Sequence, residues 1–201
     1  MVVAGALALL VGAALGRHYW QADPPPKIGG YVLAEPKALP PVTLVDEQGR
    51  VFRPADFAGR WSFLYFGYTY CPDVCPLTLI ELATLKKRLA EELPGAPTDY
   101  YLVSVDPRRD TPERLREYVT YFDGSFHGLT GPIADLQALT RQTGSVFFVP
   151  DDQNEDYLVS HSSNIALIDP GGLLSAVFTS PHAPGQLAAD FGAVVAYRAR
   201  H

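Results

Sequence analysis

YTYCPDVCP, at residues 68–76, contains both cysteines of the 201-residue chain, Cys71 and Cys75, and a proline follows each of them. The segment comes after a predominantly apolar run, which predicts a buried strand over residues 60–68. Because proline is favoured in the first turn of a helix, Pro76 predicts that Cys75 is the N-cap of a helix over residues 77–92. Both thiols would then lie near the positive end of a helix dipole, which favours thiolates.

A thiol pair at this spacing has three possible uses, namely a structural disulfide, thiol–disulfide exchange and ligation of a soft metal. Three residues separate Cys71 from Cys75, whereas the common redox motif has two. A disulfide closing so short a loop stabilises little, because the entropic gain grows with loop length, so this use is the least favoured. A low thiol pKa suits the other two uses equally well.

Histidine is the side chain that would complete a copper site beside two thiolates, because imidazole ligates both oxidation states of copper. Thioether is excluded, since the single methionine is Met1. The histidines are His18, His127, His161, His182 and His201. Two of them flank terminal segments and two lie in predicted loops, which leaves His161, between the strand-like residues 157–160 and 164–168. A lone histidine between strands is more often an ordinary hydrogen-bonded residue, and spacing does not decide between these alternatives.

Several separate motifs together resemble those of a known family. FGYTYCPDVCP at residues 66–76 is similar to the signature of the Sco/SenC family of membrane-tethered copper-binding assembly factors. Further similarities follow the family's order: GG at 29–30, LVDEQG at 44–49, SVDPRRDTP at 104–112 and DYLVSHS at 156–162. The resemblance covers about residues 28–198. It implies that Cys71, Cys75 and His161 bind copper.

Two positions depart from the family pattern. Tyr70 stands where members commonly have histidine before the first cysteine, and Ser160 stands where they often have an acidic residue before the metal histidine. Neither position supplies a ligand, so the site is expected to persist. The missing carboxylate beside His161 is expected to affect the orientation of the imidazole or the affinity of the site.

Three further residues are expected around the site without contacting the metal: Tyr68, Asp73 and Asp106. Asp73 either accepts hydrogen bonds from loop amides or is a solvated turn residue, and both alternatives stay open. Asp106 ends a predicted strand, and the resemblance implies a role near the site, with a helix or turn cap as the alternative. The arginine pair at residues 108–109 is either part of a docking surface for an acidic partner or simply exposed.

The chain is predicted to contain an anchor, a linker and one domain. Residues 1–16 carry no charge, and a span of about 20 residues would extend this run to residue 20, which predicts a transmembrane or signal-anchor segment over residues 1–20. A cleaved signal peptide is the competing interpretation, but a basic n-region and a clear cleavage site are missing. Residues 21–27 form a proline-rich linker, and residues 28–201 form the copper-binding domain.

Two signals disagree about the orientation of that anchor in the membrane. Arg17 lies on the C-terminal side of the apolar run and favours a cytoplasmic domain. The family resemblance implies the opposite, a membrane-anchored domain on the extracytoplasmic side, and paired cysteines fit an oxidising compartment. We expect the extracytoplasmic placement. The net charge of −6 argues against nucleic-acid binding, which requires a basic patch.

The alternation of strands and helices predicts an α/β fold of the thioredoxin-like type, with a central mixed sheet flanked by helices and an N-terminal hairpin. The predicted hairpin pairs residues 42–46 with 50–52. Further strands are predicted at residues 60–68, 100–105, 145–149, 157–160, 164–169 and 173–179, and helices at 77–92, 111–121, 132–143 and 184–198. The apolar face of the first helix is predicted to comprise Leu77, Leu79, Ile80, Leu82, Leu85 and Leu89.

Two functions follow as hypotheses. The first is a copper metallochaperone that binds Cu(I) or Cu(II) and delivers it to the dinuclear copper centre of cytochrome c oxidase subunit II. The second is a membrane-tethered thiol–disulfide reductase, with Cys71 and Cys75 as its catalytic residues, that keeps the cysteines of the oxidase copper site reduced. Further partners would be another copper chaperone or a thiol–disulfide oxidoreductase. The chaperone is preferred because a redox pair has no need of His161, although whether the chain is an enzyme stays open.

Overall fold

The computed structural model describes residues 24–150 and 156–201. The predicted anchor at residues 1–20 and the first residues of the predicted linker lie outside the described residues. Within the two described ranges, none of the helices combines the length and the apolar character that a membrane span requires.

Ten strands and four α-helices make up the described part of the chain. The strands are β1 Gly30–Ala38, β2 Leu44–Asp46, β3 Val51–Phe52, β4 Trp61–Gly67, β5 Thr98–Ser104, β6 His127–Thr130, β7 Phe147–Phe148, β8 Ser160–His161, β9 Ile165–Ile168 and β10 Leu173–Phe178. The helices are α1 Val74–Glu92, α2 Pro112–Phe122, α3 Ile133–Gln142 and α4 Pro184–Arg198. A short 3₁₀ helix, Pro54–Phe57, follows β3.

Eight of these strands form one mixed sheet in the order β1-β10-β9-β4-β5-β6-β2-β3, and β7 and β8 form a separate two-stranded ribbon. Strands β4, β5 and β6 run parallel to one another, and the remaining neighbours in the sheet pair antiparallel. Helix α1 packs against α2 and α4. The expected α/β class, the mixed sheet with flanking helices and the β2–β3 hairpin are therefore confirmed.

Strand β4 lies in the middle of the sheet because its sequence, WSFLYFG, can be buried on both faces. All seven of its residues are buried, and continuous apolar runs are typical of strands that are covered on both sides. On one face, the ring of Phe63 stacks on Tyr100 of β5 at 5.1 Å between centroids and contacts Phe191 of α4 at 5.2 Å. This packing fixes β4, and with it the start of the cysteine loop.

The sheet topology brings distant segments to one edge. Because β4 and β5 are parallel, their carboxyl ends, Gly67 and Ser104, are paired neighbours. Strand β9 runs antiparallel to β4, and its first residue, Ile165, pairs with Tyr65. The residues just before β9 therefore lie beside the loop that follows β4, which is where ligands bind in open α/β sheets.

The start of α1 differs from the sequence prediction. The N-cap is Asp73, so Cys75 lies within the first turn and is not the cap itself. Pro76 is tolerated there because amides of the first helical turn lack partners in the preceding turn. Leu77 and Ile80 are 56% and 54% exposed, contrary to the predicted apolar face. They lie off the stripe that packs inward, which consists of Leu79, Leu82, Leu85 and Leu89.

Two strands were not predicted, and two predicted strands are shorter than expected. Strand β1 is an edge strand whose sequence, GYVLAEPKA, lacks a regular apolar alternation, and β6 has only four residues. The predicted strands at residues 145–149 and 157–160 reduce to β7 and β8, which pair only with each other. Each of these elements is defined by its partner strand, and a local pattern does not contain that information.

Candidate metal centre

The part of the chain that the structure describes contains one cluster of three metal-binding side chains: Cys71, Cys75 and His161. The donor atoms of all three lie within 4.8 Å of one another. The Cys75 Sγ and His161 Nε2 atoms are 3.4 Å apart. The structure therefore brings together the three residues that the sequence analysis selected.

The two cysteines are held differently. Cys75 is buried in the first turn of α1, whereas Cys71 is half-buried in the loop before it, and both are free thiols. The backbone amide of Cys71 donates a 3.3 Å hydrogen bond to the Tyr68 carbonyl, which folds the loop back on the end of β4. One sulfur is thus fixed by the core, and the other lies closer to solvent.

His161 presents its Nε2 atom to the sulfurs because its other nitrogen is occupied. The Nδ1 atom lies 3.1 Å from the backbone carbonyl of Ser162, and a carbonyl oxygen only accepts. Nδ1 therefore carries the proton in the neutral ring, and the lone pair of Nε2 is directed at Cys75. This carbonyl fixes the tautomer, a role that a neighbouring carboxylate often plays in metal sites.

The donor set fits a soft metal of low coordination number. Bonds of about 2.0 to 2.3 Å from sulfur and nitrogen to a metal place three donors roughly 3.5 to 4 Å apart. The spacing in the structure, 3.4 Å between Cys75 Sγ and His161 Nε2 and up to 4.8 Å within the cluster, differs from this by a small displacement of the donor atoms. Thiolate and imidazole are the ligands that copper prefers.

The two thiols differ in acidity because they share a hydrogen bond. A hydrogen bond from Cys75 lowers the pKa of the Cys71 thiol to about 4, against the opposing effect of burial, and a hydrogen bond from the Asp73 amide adds to the lowering. The same hydrogen bond, together with burial, raises the pKa of Cys75 far above its usual value. The pair therefore loses its first proton readily and holds the second until a metal ion displaces it or a two-electron oxidation to the disulfide removes it.

Two tyrosines from β4 and its end enclose the histidine. The ring of Tyr68 is perpendicular to the imidazole of His161, with centroids 5.7 Å apart, and Tyr65 lies edge-on at 6.1 Å. The Tyr68 hydroxyl accepts a 3.2 Å hydrogen bond from the amide of Val159, two residues before the histidine. Tyr68 therefore connects the cysteine loop to the histidine segment.

Asp106 acts at one remove from the donor atoms. Its buried carboxylate accepts a 2.6 Å hydrogen bond from the Tyr157 hydroxyl and is ion-paired with Arg109. The Arg109 guanidinium carbon lies 3.7 Å from the centroid of Tyr157 and 4.6 Å from that of Tyr70. These contacts join the end of β5, the cysteine loop and the segment before His161.

The residues that depart from the family pattern have contacts of their own. Tyr70 is 46% exposed, and its ring contacts two arginines, with guanidinium carbons 4.1 Å (Arg114) and 4.6 Å (Arg109) from its centroid. Ser160 pairs with Phe148 in the β7–β8 ribbon.

Asp73 is exposed, and no described amide donates a capping hydrogen bond to its side chain. This favours the solvated turn residue over the acceptor of hydrogen bonds from loop amides.

Sequence reasoning missed Asp110, whose carboxylate is hydrogen-bonded to Thr69, just before the cysteine loop. Its buried carboxylate accepts hydrogen bonds from the Thr69 amide at 3.0 Å, the Thr69 hydroxyl at 2.6 Å and the Ser104 hydroxyl at 2.6 Å. Burial raises the pKa of Asp110, although these three donors oppose the shift. The available signal was its place in SVDPRRDTP, one of the motifs of the family resemblance.

Comparison with known proteins gives concordant results. The sequence model of the SCO1/SenC family matches residues 34–196. A Stutzerimonas stutzeri protein named for copper binding is 39% identical over 153 residues, which cover 75% of this chain and 73% of that protein. The mitochondrial SCO2 homolog of Bos taurus is 36% identical over 146 residues, covering 72% of this chain and 55% of the bovine protein, so this chain spans about half of its length.

Solved structures agree with the sequence comparisons. The crystal structure of Arabidopsis thaliana ScoI with copper bound has a TM-score of 0.71 and 31% sequence identity with this chain. The match covers 80% of this chain and 98% of the other. The similarity confirms the thioredoxin-like α/β architecture expected from the sequence.

Proposed function

The chain belongs to the SCO1/SenC family, and we propose that it binds copper through Cys71, Cys75 and His161. The observation that carries the proposal is the 3.4 Å approach of His161 Nε2 to Cys75 Sγ, with Nδ1 engaged by a backbone carbonyl. Thiol–disulfide exchange requires only the two cysteines. Metal binding by a third ligand, in contrast, requires that the imidazole lone pair face the sulfurs, as it does here. The copper-bound relative in Arabidopsis thaliana supports copper as the metal.

The charges of the donor set suit both oxidation states. Two thiolates and a neutral imidazole give a neutral complex with Cu(II) and a complex of one negative charge with Cu(I). The first thiolate is already formed at neutral pH, because the pKa of Cys71 is lowered to about 4. Three donors are one fewer than the four that a structural metal site usually has, which suits a metal that is bound in order to be passed on.

Release of the cargo requires an accessible donor. Cys71 is half-buried and Cys75 is buried, so a ligand from a partner would replace Cys71 first and Cys75 last. We propose that this exchange delivers copper to the dinuclear centre of cytochrome c oxidase subunit II, as the family resemblance implies. Another copper chaperone would supply the metal. The domain would lie on the extracytoplasmic side of the membrane, held there by the predicted anchor at residues 1–20.

The proposal is tested by copper binding to the purified 201-residue chain and to its His161→Ala and His201→Ala forms. Cu(II) added to the reduced chain is expected to give a one-to-one thiolate-to-copper charge-transfer band, followed by absorption and paramagnetic resonance. His161→Ala should lose this signal while the far-ultraviolet dichroism stays unchanged, and the exposed terminal His201 serves as the matched control. Unchanged binding by His161→Ala would contradict the three-ligand hypothesis.

A second candidate function is thiol–disulfide reduction, and the acidity and accessibility of Cys71 favour it. The Cys71 thiolate would attack a partner disulfide, form a mixed disulfide and release one partner thiol. Cys75 would then attack Cys71, which frees the second partner thiol and leaves the Cys71–Cys75 disulfide. Two electrons pass to the partner, and a thiol–disulfide oxidoreductase would have to restore the reduced pair.

The two functions respond differently to the loss of the histidine. His161→Ala is expected to abolish three-donor copper binding but to leave the rate of disulfide-peptide reduction close to that of the parent. Cys71→Ser and Cys75→Ser should end both activities. Catalytic turnover by either single-cysteine variant would exclude the paired-thiol mechanism.

A further inference from the structure

The Tyr65 hydroxyl contacts the sulfur of Cys75. Tyr65 belongs to β4 and is fully buried, and its hydroxyl lies 3.6 Å from Cys75 Sγ, within the range of an O–H···S hydrogen bond. The edge of the same ring faces His161. Tyr65 therefore contacts two of the three proposed ligands, although no sequence motif had drawn attention to it.

The direction of this hydrogen bond follows from the neighbouring groups. Thr78 also lies beside the Tyr65 hydroxyl, but the Thr78 hydroxyl proton is donated to the Val74 carbonyl at 2.9 Å. The phenol thus faces a hydroxyl oxygen and a sulfur. A metal-bound thiolate carries negative charge and is the stronger acceptor of the two, since charge-assisted hydrogen bonds exceed neutral ones.

The absence of a side chain at Gly67 permits this contact. A Cβ atom at this position would lie 2.8 Å from Cys75 Sγ and 3.1 Å from Cε1 of Tyr65. The sulfur and the phenol ring therefore meet over a bare stretch of backbone. This packing places the oxygen of Tyr65 beside the sulfur, at 3.6 Å.

We propose that the Tyr65 hydroxyl donates a hydrogen bond to the Cys75 sulfur of the copper site and thereby shifts the bound metal towards Cu(I). This role rests on the proposed copper function. Tyr65 is a positioning residue in this scheme, because it acts on the metal through Cys75.

The direction of the effect follows from charge. The Cys75 sulfur carries more negative charge in the Cu(I) complex than in the Cu(II) complex, so the hydrogen bond stabilises Cu(I) more. Hydrogen bonds to a ligating sulfur tune the potential of copper sites in this way. The same bond lowers the energy of the sulfur lone pairs, so the thiolate-to-Cu(II) absorption lies at higher energy with it than without it.

The experiment compares Tyr65→Phe with Tyr100→Phe in the purified 201-residue chain. Tyr100 is an equally buried tyrosine on the neighbouring strand, and its hydroxyl accepts from Thr98, so it is the matched control. Affinities for Cu(I) and Cu(II) are measured by chelator competition. Tyr65→Phe should lower the ratio of Cu(I) to Cu(II) affinity by about two- to fivefold, since the difference between the two states is at most about the worth of one hydrogen bond, and move the charge-transfer band to lower energy. Tyr100→Phe should change neither.

A parental affinity ratio and band position in Tyr65→Phe would overturn the proposal, as would an equal shift in Tyr100→Phe. A second variant, Thr78→Val, removes the alternative partner of the phenol and should not lower the ratio. If it lowers the ratio as Tyr65→Phe does, the effect belongs to packing and the proposal fails.

A copper-free measurement separates this inference from the proposed function. The dithiol form equilibrates with oxidised dithiothreitol, yielding the Cys71–Cys75 disulfide and reduced dithiothreitol. A reduced sulfur accepts a hydrogen bond better than a disulfide sulfur, so Tyr65→Phe should shift this equilibrium towards the disulfide by roughly three- to fivefold. A parent chain that binds no copper would refute the proposed function alone, whereas an unshifted equilibrium in Tyr65→Phe would refute the hydrogen bond.

Discussion

The hydroxyl of Tyr157 donates a 2.6 Å hydrogen bond to the carboxylate of Asp106, which lies 51 residues earlier in the chain. Asp106 is fully buried and also pairs with Arg109, whose guanidinium packs on the Tyr157 ring. The segment that leads to His161 is therefore attached to the end of β5, next to the cysteine loop. We expect the geometry at the donor atoms to depend on this attachment, although none of its members is a proposed ligand.

Replacing Asp106 by alanine should destabilise the apo protein and loosen the histidine segment. The substitution removes the carboxylate from the partly buried Arg109 and the partner from the Tyr157 hydroxyl, which should lower the free energy of unfolding by about 2 to 4 kcal/mol. Urea denaturation measures this change, and Glu91→Gln, an exposed carboxyl on α1, is the control. A loss no larger than that of the control would show that the attachment is dispensable.

The thiolate of Cys71 should react with iodoacetamide over an unusually wide pH range. Its pKa is lowered to about 4, chiefly by the hydrogen bond from Cys75, so the reactive thiolate predominates at neutral pH and disappears only as the pH falls through about 4. Cys75→Ala removes the largest cause, and its rate at mildly acidic pH should fall more than about tenfold. Alkylation is followed by mass spectrometry, with Val74→Ala as the matched neighbour. A parent half-point near 8.5, that of an ordinary thiol, would contradict the prediction.

Gly67→Ala should displace the buried sulfur. The added Cβ would lie 2.8 Å from Cys75 Sγ and 3.2 Å from a methyl carbon of Leu102. Both side chains are buried in the packed core around β4, so neither can move away freely. We expect a loss of about 1 to 3 kcal/mol in the free energy of unfolding and weaker copper retention. Gly124→Ala is the control, because a Cβ at Gly124 meets nothing within 4 Å. Equal melting temperatures for the two variants would refute the steric account.

The His127–Glu47 pair should make stability depend on pH at the far side of the sheet. Its hydrogen bond to Glu47 raises the pKa of His127, and the charges of Asp99 and Asp46 add to the shift. The folded chain therefore binds this proton more tightly than the unfolded chain. The stabilisation is complete below about 6.5, the unfolded pKa, and is lost as the pH rises through the raised folded value.

Partial exposure of His127 limits this contribution to less than about 1 kcal/mol. The difference in urea midpoint between the parent and His127→Gln should be largest at mildly acidic pH and shrink as the pH rises. His201→Gln, at the exposed C-terminus, should show no such trend. A difference that grows with pH would reverse the sign and refute the assignment.

The sequence predicted those helices and strands whose ends are marked by a local residue pattern. Thr111 followed by a proline marked the start of α2, and its side chain does accept a hydrogen bond from the Arg114 amide. Strand β1 carried no such signal, because it is defined by pairing with β10 and by Arg198, which donates to the carbonyls of Leu33 and Ala34. Sequence proximity says nothing about partners so far along the chain.

The same distinction holds at the candidate site. Cys71 and Cys75 were evident from one motif, and the choice of His161 needed the family resemblance, since its spacing was uninformative. Tyr65 and Asp110 were overlooked because their importance lies in what the fold places against them, a sulfur in one case and Thr69 in the other. Buried tyrosines and aspartates are common, and only the neighbouring atoms reveal what a particular one does.

The sequence separation of 86 positions from Cys75 to His161 has a consequence for the order of events during biogenesis. An unfolded or nascent chain offers two adjacent thiols but no imidazole beside them, because the histidine arrives only when β9 pairs with β4. Such long-range contacts form late, since the entropy of loop closure opposes them. A chain that binds copper through all three groups has therefore already formed its central sheet. The bound ion then stabilises the folded chain against unfolding, because it binds the folded state more tightly than the unfolded state.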